Sequence, residues 1–138
     1  MRIAIYHSLP SGGAKRALLE TVQRLVAAHA LSVYTLNTAE HDFCDLRPFA
    51  PQHHIYDFAP LPLYRSPLGR LNQLQRWRDL ARLDRVERQI AADIDRSGAD
   101  VVYVQPSAWT QAPPLLSYLR TPSVYYLHEP LRLLYEPE

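Results

Sequence analysis

Two short motifs in this 138-residue chain carry groups that could act on a charged ligand. The first is Ser11-Gly12-Gly13, followed by Lys15 and Arg16 and preceded by the apolar run Ile3-Ala4-Ile5-Tyr6. A strand, a glycine turn and a helix start in succession aim free backbone N–H groups and the positive end of a helix dipole at one point, which suits an anion. Cations at Lys15 and Arg16 in a first helical turn oppose that dipole by roughly 0.3–1 kcal/mol each, and a bound anion would reverse the sign. The same residues also suit an ordinary tight turn with a helix cap. The motif lacks the third glycine of the dinucleotide fingerprint, and no acidic residue ends the second strand. The other motif is His128-Glu129-Pro130, directly after an apolar run. A carboxylate beside an imidazole can do acid–base work or hold sugar hydroxyls; a loop histidine bonded to backbone is the alternative.

These motifs need elements to position them. The pattern predicts a strand over Arg2 to Tyr6, a helix over Ala14 to His29 and a strand over Leu31 to Leu36. The stretch from 39 to 66 is irregular and rich in proline, with a short strand at His54 to Phe58. A long helix follows over Leu68 to Arg96, with Gly98 as its stop. Leu68, Leu71, Leu74, Trp77, Leu80, Leu83, Val86, Ile90 and Ile94 form its apolar stripe, whose early spacing of three drifts around a straight helix. Val101 to Val104 reads as a strand buried on both faces, Gln111 to Leu119 as a short helix and Ser123 to Leu127 as the last strand. The alternation predicts an α/β fold: a Rossmann-like, mostly parallel sheet of four to five strands flanked by helices. Such sheets bind ligands beyond the carboxyl ends of their strands. There the chain offers His7, Ser8, Ser11, Gly12 and Gly13, then Asn37 and Thr38, then Gln105, Ser107 and Thr110, and finally His128 and Glu129. If the topology holds, these groups share one rim.

Composition narrows the classes. The net charge of +1 gives no global case for nucleic acid, and no aromatic stacking platform supports one. A single cysteine, Cys44, excludes an internal disulfide and a cysteine zinc cluster, and fits a cytoplasmic setting. His53 and His54 are adjacent and would point to opposite faces of an extended segment, so no metal is expected. No apolar stretch is long enough to span a membrane. Seven arginines lie between Arg65 and Arg88, while Lys15 is the only lysine. The arginine-rich helix over residues 68–96 reads either as a solvated face paired with Asp79, Asp84 and Glu87, or as a peripheral contact with anionic lipid at the inner face of a membrane.

Taken together, Ile3 to Tyr6 leading into Ser11 to Ala14, the long helix ending in Arg96-Ser97-Gly98-Ala99-Asp100 before Val101 to Val104, and Tyr125-Tyr126-Leu127-His128-Glu129-Pro130 resemble the N-terminal, acceptor-side domain of a family 4 glycosyltransferase, half of a GT-B architecture. The resemblance covers nearly the whole chain. It implies a retaining, metal-independent transfer of a hexose from a nucleotide-sugar donor to a hydroxyl acceptor, with no separate cofactor. It further implies that Gly12 and Gly13 form the loop near the donor phosphates. His128 would be the histidine near the transferred sugar and Glu129 an adjacent acceptor or sugar contact; beyond what the resemblance implies, Ser11, Lys15 and Arg132 are further candidate binding residues. The family's loop carries Glu where this chain has Lys15, and its donor-holding C-terminal domain has no counterpart in these residues. The chain is therefore expected to be a single, incomplete domain that binds donor weakly and is inactive alone. A stand-alone phosphate-binding module, or an interaction domain pairing with a partner chain or a second copy through an exposed sheet edge, remain the alternatives.

Overall fold

The structure, a computed structural model, describes residues 1–128. Glu129 and Arg132 lie outside the described residues. The chain runs β1 (Arg2–Ser8), α1 (Gly13–Leu25), β2 (Ala30–Leu36), β3 (Gln52–Tyr56), α2 (Asn72–Ser97), β4 (Val101–Ser107) and β5 (Ser123–Tyr125). Short 3-10 turns occupy Leu68–Leu71 and Pro114–Ser117. The five strands form one sheet in the order β3-β2-β1-β4-β5, and every neighbouring pair is parallel. This is the Rossmann-like α/β sheet that the alternating pattern predicts.

Side chains alternate across the central strands. Ile3 and Ile5 of β1, with Leu31 and Val33 of β2, pack against Leu18 and Val22 of α1. Ala4 and Tyr6, with Tyr34, Leu36, Val102 and Val104, pack against Leu83, Ile90, Ala91 and Ile94 of α2. The two helices therefore cover opposite faces, and β1 sits between two cores. The irregular stretch after β2 is also packed: Leu46 and Ala50 are buried with Leu9 and Leu18.

Several boundaries differ from the sequence expectation. α1 ends at Leu25 rather than near His29, because residues 26–29 make the turn that brings Ala30 N–H onto the Met1 carbonyl at 3.0 Å. β1 runs on to Ser8, and β3 sits two residues earlier than expected, since its ladder with β2 stops where Leu36 meets Tyr56. Phe58 leaves that ladder for the core, edge-on to Trp109 at 5.2 Å. In place of a helix over 111–119 there is only the turn at Pro114–Ser117. Gly98 stops α2 in the left-handed conformation at φ 72°, where a β-carbon would also meet the Arg2 guanidinium at 2.8 Å.

The largest difference lies in α2. Only the later part of its apolar stripe reaches the core. Leu71, Leu74, Trp77 and Leu80 are 46%, 52%, 66% and 45% exposed. A three-residue step turns back by about 60° on a helix of 3.6 residues per turn, so this row walks off the sheet-facing side. The buried positions in that half are Gln75 and Asp79.

The acids of α2 mostly face inward. Glu87 is fully buried; its carboxylate accepts from the Tyr6 hydroxyl at 2.6 Å and from the Leu115 N–H at 2.9 Å. Asp79 accepts from the Leu61 N–H at 2.8 Å, Asp84 from the Tyr118 hydroxyl at 2.7 Å and Asp93 from the Tyr56 hydroxyl at 2.7 Å. Asp95 takes the Thr121 N–H at 2.9 Å. The expected arginine pairing holds for Asp84 with Arg88 at 3.5 Å and loosely for Asp79 with Arg76 and Arg82 at 3.7 Å. It fails for Glu87, whose partners are the tyrosine and the peptide N–H. Burial, the main cause, pushes the Glu87 carboxyl above its usual range.

Glu87 thus ties β1, α2 and the β4–β5 connection together. Glu87→Ala should lower stability by about 3 kcal/mol, since it leaves a buried N–H and hydroxyl without acceptors. Glu87→Gln should stay within about 1 kcal/mol, because its carbonyl still accepts from Leu115 and its amide can donate to a turned tyrosine hydroxyl. Urea unfolding followed by circular dichroism measures both; equal losses would contradict this account.

Candidate functional site

At the carboxyl ends of the strands lies an open cleft of about 610 Å³, lined by Leu9, Gly13, Ser107, Trp109, Thr110 and His128 among others. The glycine turn and the last strand's loop therefore face one cleft, as the shared-rim expectation requires. A smaller cavity of about 320 Å³ lies at the opposite ends of the strands, beside Arg2, His29 and Ser32.

The turn is built by Gly12, whose φ of 153° and ψ of −173° fall in a region that is essentially glycine's alone. Its carbonyl starts α1 by accepting from the Arg16 N–H at 3.2 Å. No side chain caps the helix, and no acid stands in its first turn. A β-carbon at Gly12 or Gly13 would meet nothing within 4 Å. Gly13 and Ala14, at the uncapped start of α1, line the cleft, so the helix presents its N-terminal end, the positive end of its dipole, to that opening. Ser11 is exposed on the same turn.

Across the cleft, the His128 ring stands edge-on to Tyr126 at 4.7 Å. Its Nε2 lies 2.6 Å from Oε1 of Gln105, a fully buried side chain near the end of β4. With that carbonyl as acceptor, the imidazole carries its proton on Nε2, and Nδ1 is its remaining acceptor.

His7 and Ser8 belong inside β1 rather than beyond it. A register shift between Tyr6 and Ser8 brings Ser8 opposite Ser107, and Ala108 N–H reaches the Ser8 carbonyl at 3.2 Å. His7 and Ser8 are buried, with the His7 Nδ1 and Ser8 Oγ atoms lacking hydrogen-bond partners. Asn37 is committed to the fold: its amide spans Asp57 at 3.2 Å and the Phe58 N–H at 2.9 Å.

Lys15 departs from its expected role as a solvated cation facing an anion. It is 1% exposed, does not line the cleft, and places Nζ 3.4 Å from Nε2 of His7. The α1 face that buries Leu18 also carries Lys15, so its side chain follows the core rather than the solvent. An ammonium only donates, so His7 accepts through Nε2 and is neutral. Burial lowers the Lys15 pKa to about 8, opposed by Asp45, Cys44 and Glu40. Burial, then Lys15, then His53 and His41, hold His7 well below the usual imidazole range. His53 is lowered as well, chiefly by burial. Arg16 remains the exposed cation of the first turn.

Sequence reasoning missed Trp109, which lines the cleft, packs on Phe58 and lies 6.0 Å beneath the Arg76 guanidinium. A tryptophan just past a buried strand was the available signal. Among the described residues, no cluster of three His, Cys, Asp or Glu could hold a metal, and no helix is long and apolar enough to cross a membrane.

No protein-family model matches the chain, and no curated protein matches it. Its fold is similar to the C-terminal domain of a hydrogenase from Pyrococcus furiosus, solved as residues 78–226 and as residues 83–215. The first superposes with a TM-score of 0.50 at 12% identity over 90% of this chain and 89% of that one. The second gives 0.51 at 12% identity over 91% and 90%. At that identity the likeness concerns the sheet and its helices alone.

The Lys15 cluster has a measurable consequence. A histidine held neutral in the fold binds fewer protons than in the unfolded chain. Its contribution is therefore present above the unfolded pKa near 6.5 and is lost as pH falls below it. Stability should fall between pH 7 and 5.5, with a slope of up to about 1.4 kcal/mol per pH unit for each such histidine. Lys15→Met should be more stable than the parent at pH 7 by about 1 kcal/mol, since an apolar side chain replaces a buried ammonium. Urea midpoints across pH test both; a flat profile and a destabilised Lys15→Met would refute this description.

Proposed function

We propose that this chain is the acceptor-side wall of a nucleotide-sugar-dependent glycosyltransferase, acting without a metal and transferring a hexose to a hydroxyl acceptor. The observation that carries the reading is the single cleft bounded by the uncapped start of α1 at Gly13 and by His128. The uncapped N–H groups suit the diphosphate of a donor, and Gly12 and Gly13 leave room for its close approach. In the reaction, the bond from the sugar's anomeric carbon to the diphosphate oxygen breaks. The acceptor oxygen forms a new bond at that carbon, and its proton passes to the departing diphosphate. N–H groups already fixed by the helix stabilise the negative charge that grows on the leaving group. His128, oriented by Gln105, offers Nδ1 as an acceptor for a sugar hydroxyl, and Trp109 offers an aromatic face beside it.

In the family that the sequence resembles, a second Rossmann-like domain holds most of the donor and closes the cleft against water. The reading accordingly assigns this chain weak binding of the donor and no efficient turnover by itself. Glu129 and Arg132, which lie outside the described residues, belong to the same proposal on sequence grounds alone.

The test uses inorganic pyrophosphate and UDP as probes, with amide chemical shifts as the readout. Both should perturb the amides of Gly13 to Arg16 with millimolar affinity. Gly13→Asp should weaken binding at least fivefold, about 1 kcal/mol, with unchanged circular dichroism, since the new side chain enters open space. Perturbation elsewhere only, or affinity unaltered by Gly13→Asp, would refute the anion site and the reading with it.

A further inference from the structure

The outward side of the first half of α2, with the segment before it, exposes a row of large apolar side chains. Leu71, Leu74, Trp77 and Leu80 stand 45–66% exposed, and Leu63 and Tyr64 before them are 48% and 44% exposed. The two groups are neighbours: the Asn72 side chain accepts from the Tyr64 N–H at 2.7 Å and donates to its carbonyl at 3.0 Å. Arg70, Arg78 and Arg85 are exposed around this apolar row. None of the three has an acidic partner among the ion pairs of the described residues. Asp79 and Glu87 are buried on the opposite side, and Asp84 is held by Tyr118 and Arg88.

From this we infer that the outer face of the first half of α2, with Leu63 and Tyr64, docks on an anionic lipid surface. Charge decides between occupants. The exposed charges of this face, Arg70, Arg78 and Arg85 among the leucines and Trp77, are all positive and without acidic partners; an anionic surface complements them, whereas a second copy of this chain would set like charges together. That is the composition of a helix lying in a bilayer interface: apolar groups enter the acyl boundary, and guanidinium groups reach lipid phosphates along their aliphatic stems. Tryptophan prefers the same depth. The inference rests on exposure and charge, and stands whether or not the chain belongs to a glycosyltransferase. Its link to the cleft is geometric. Leu80 shares a pocket of about 390 Å³ with Phe58, Arg76 and Trp109, and Trp109 also lines the main cleft.

The experiment is co-sedimentation of the full chain with vesicles of phosphatidylcholine alone and of phosphatidylcholine with phosphatidylglycerol. Binding should require phosphatidylglycerol and weaken with salt. Trp77→Glu, at a position 66% exposed and therefore safe for folding, should weaken it about tenfold. Arg78→Glu with Arg85→Glu should weaken it at least tenfold, from about 1 kcal/mol per basic residue near the surface. Trp77 fluorescence should shift to the blue on binding, and the shift should vanish in Trp77→Phe. Equal binding to both vesicles would overturn the inference, as would no binding to either. Concentration-dependent dimers lost in Trp77→Glu, with no vesicle binding, would assign the face to a second copy instead and overturn it too.

Discussion

The fold depends on a buried carboxylate. Glu87 sits at the centre of α2 with no solvent exposure, and its two oxygens are taken by the Tyr6 hydroxyl and the Leu115 N–H. A charge in that position is tolerable only if both oxygens have donors. The requirement sets the rotation of α2 about its axis, and β1, α2 and the β4–β5 connection then have one mutual arrangement. The other acids extend the same arrangement along the helix, with Asp79 holding Leu61, Asp93 holding Tyr56 and Asp95 holding Thr121. Each connects α2 to a segment distant in sequence.

Two consequences follow from that rotation. The later half of α2 presents Leu83, Ile90 and Ile94 to the sheet, so the core there is apolar. The earlier half presents Gln75 and Asp79, so its leucines and Trp77 face solvent among arginines. One helix thus serves as a core element at one end and as an amphipathic surface at the other. The cleft belongs to the same geometry: β1 and β4 shift register beyond Tyr6, burying His7 and Ser8 and leaving Gly13 and His128 to border the opening.

Lys15 illustrates how position on a helix outweighs residue type. In the first turn of α1 a lysine suggests a cation offered to a ligand. The face it occupies also carries Leu18 and Val22, so the side chain is drawn into the core beside His7. The result is a low-pKa ammonium against a neutral imidazole, with His41 and His53 nearby. The anion-binding capacity of the turn then rests on backbone N–H groups and glycine space rather than on this charge.

Much of the architecture was legible in the residues because it follows from local periodicity and backbone freedom. Alternating apolar runs and helical patterns imply parallel strands with crossovers, and Gly12 and Gly98 mark a turn and a helix stop that side chains resist. That the glycine turn and His128 face one cleft also follows, since parallel strands put their carboxyl ends on one side. Other features had no local signature. The inward turn of Lys15, the pairing of His128 with Gln105, the solvent exposure of Trp77 and the burial of Glu87 all depend on which side of an element meets the sheet. That choice is made by contacts between residues distant in sequence, such as Tyr6 and Glu87, 81 positions apart. Apart from the helix expected over 111–119, the order and type of elements were therefore determined by sequence alone, whereas the partners of the buried polar groups were decided only by tertiary packing, because a buried charge must find donors wherever the chain brings them.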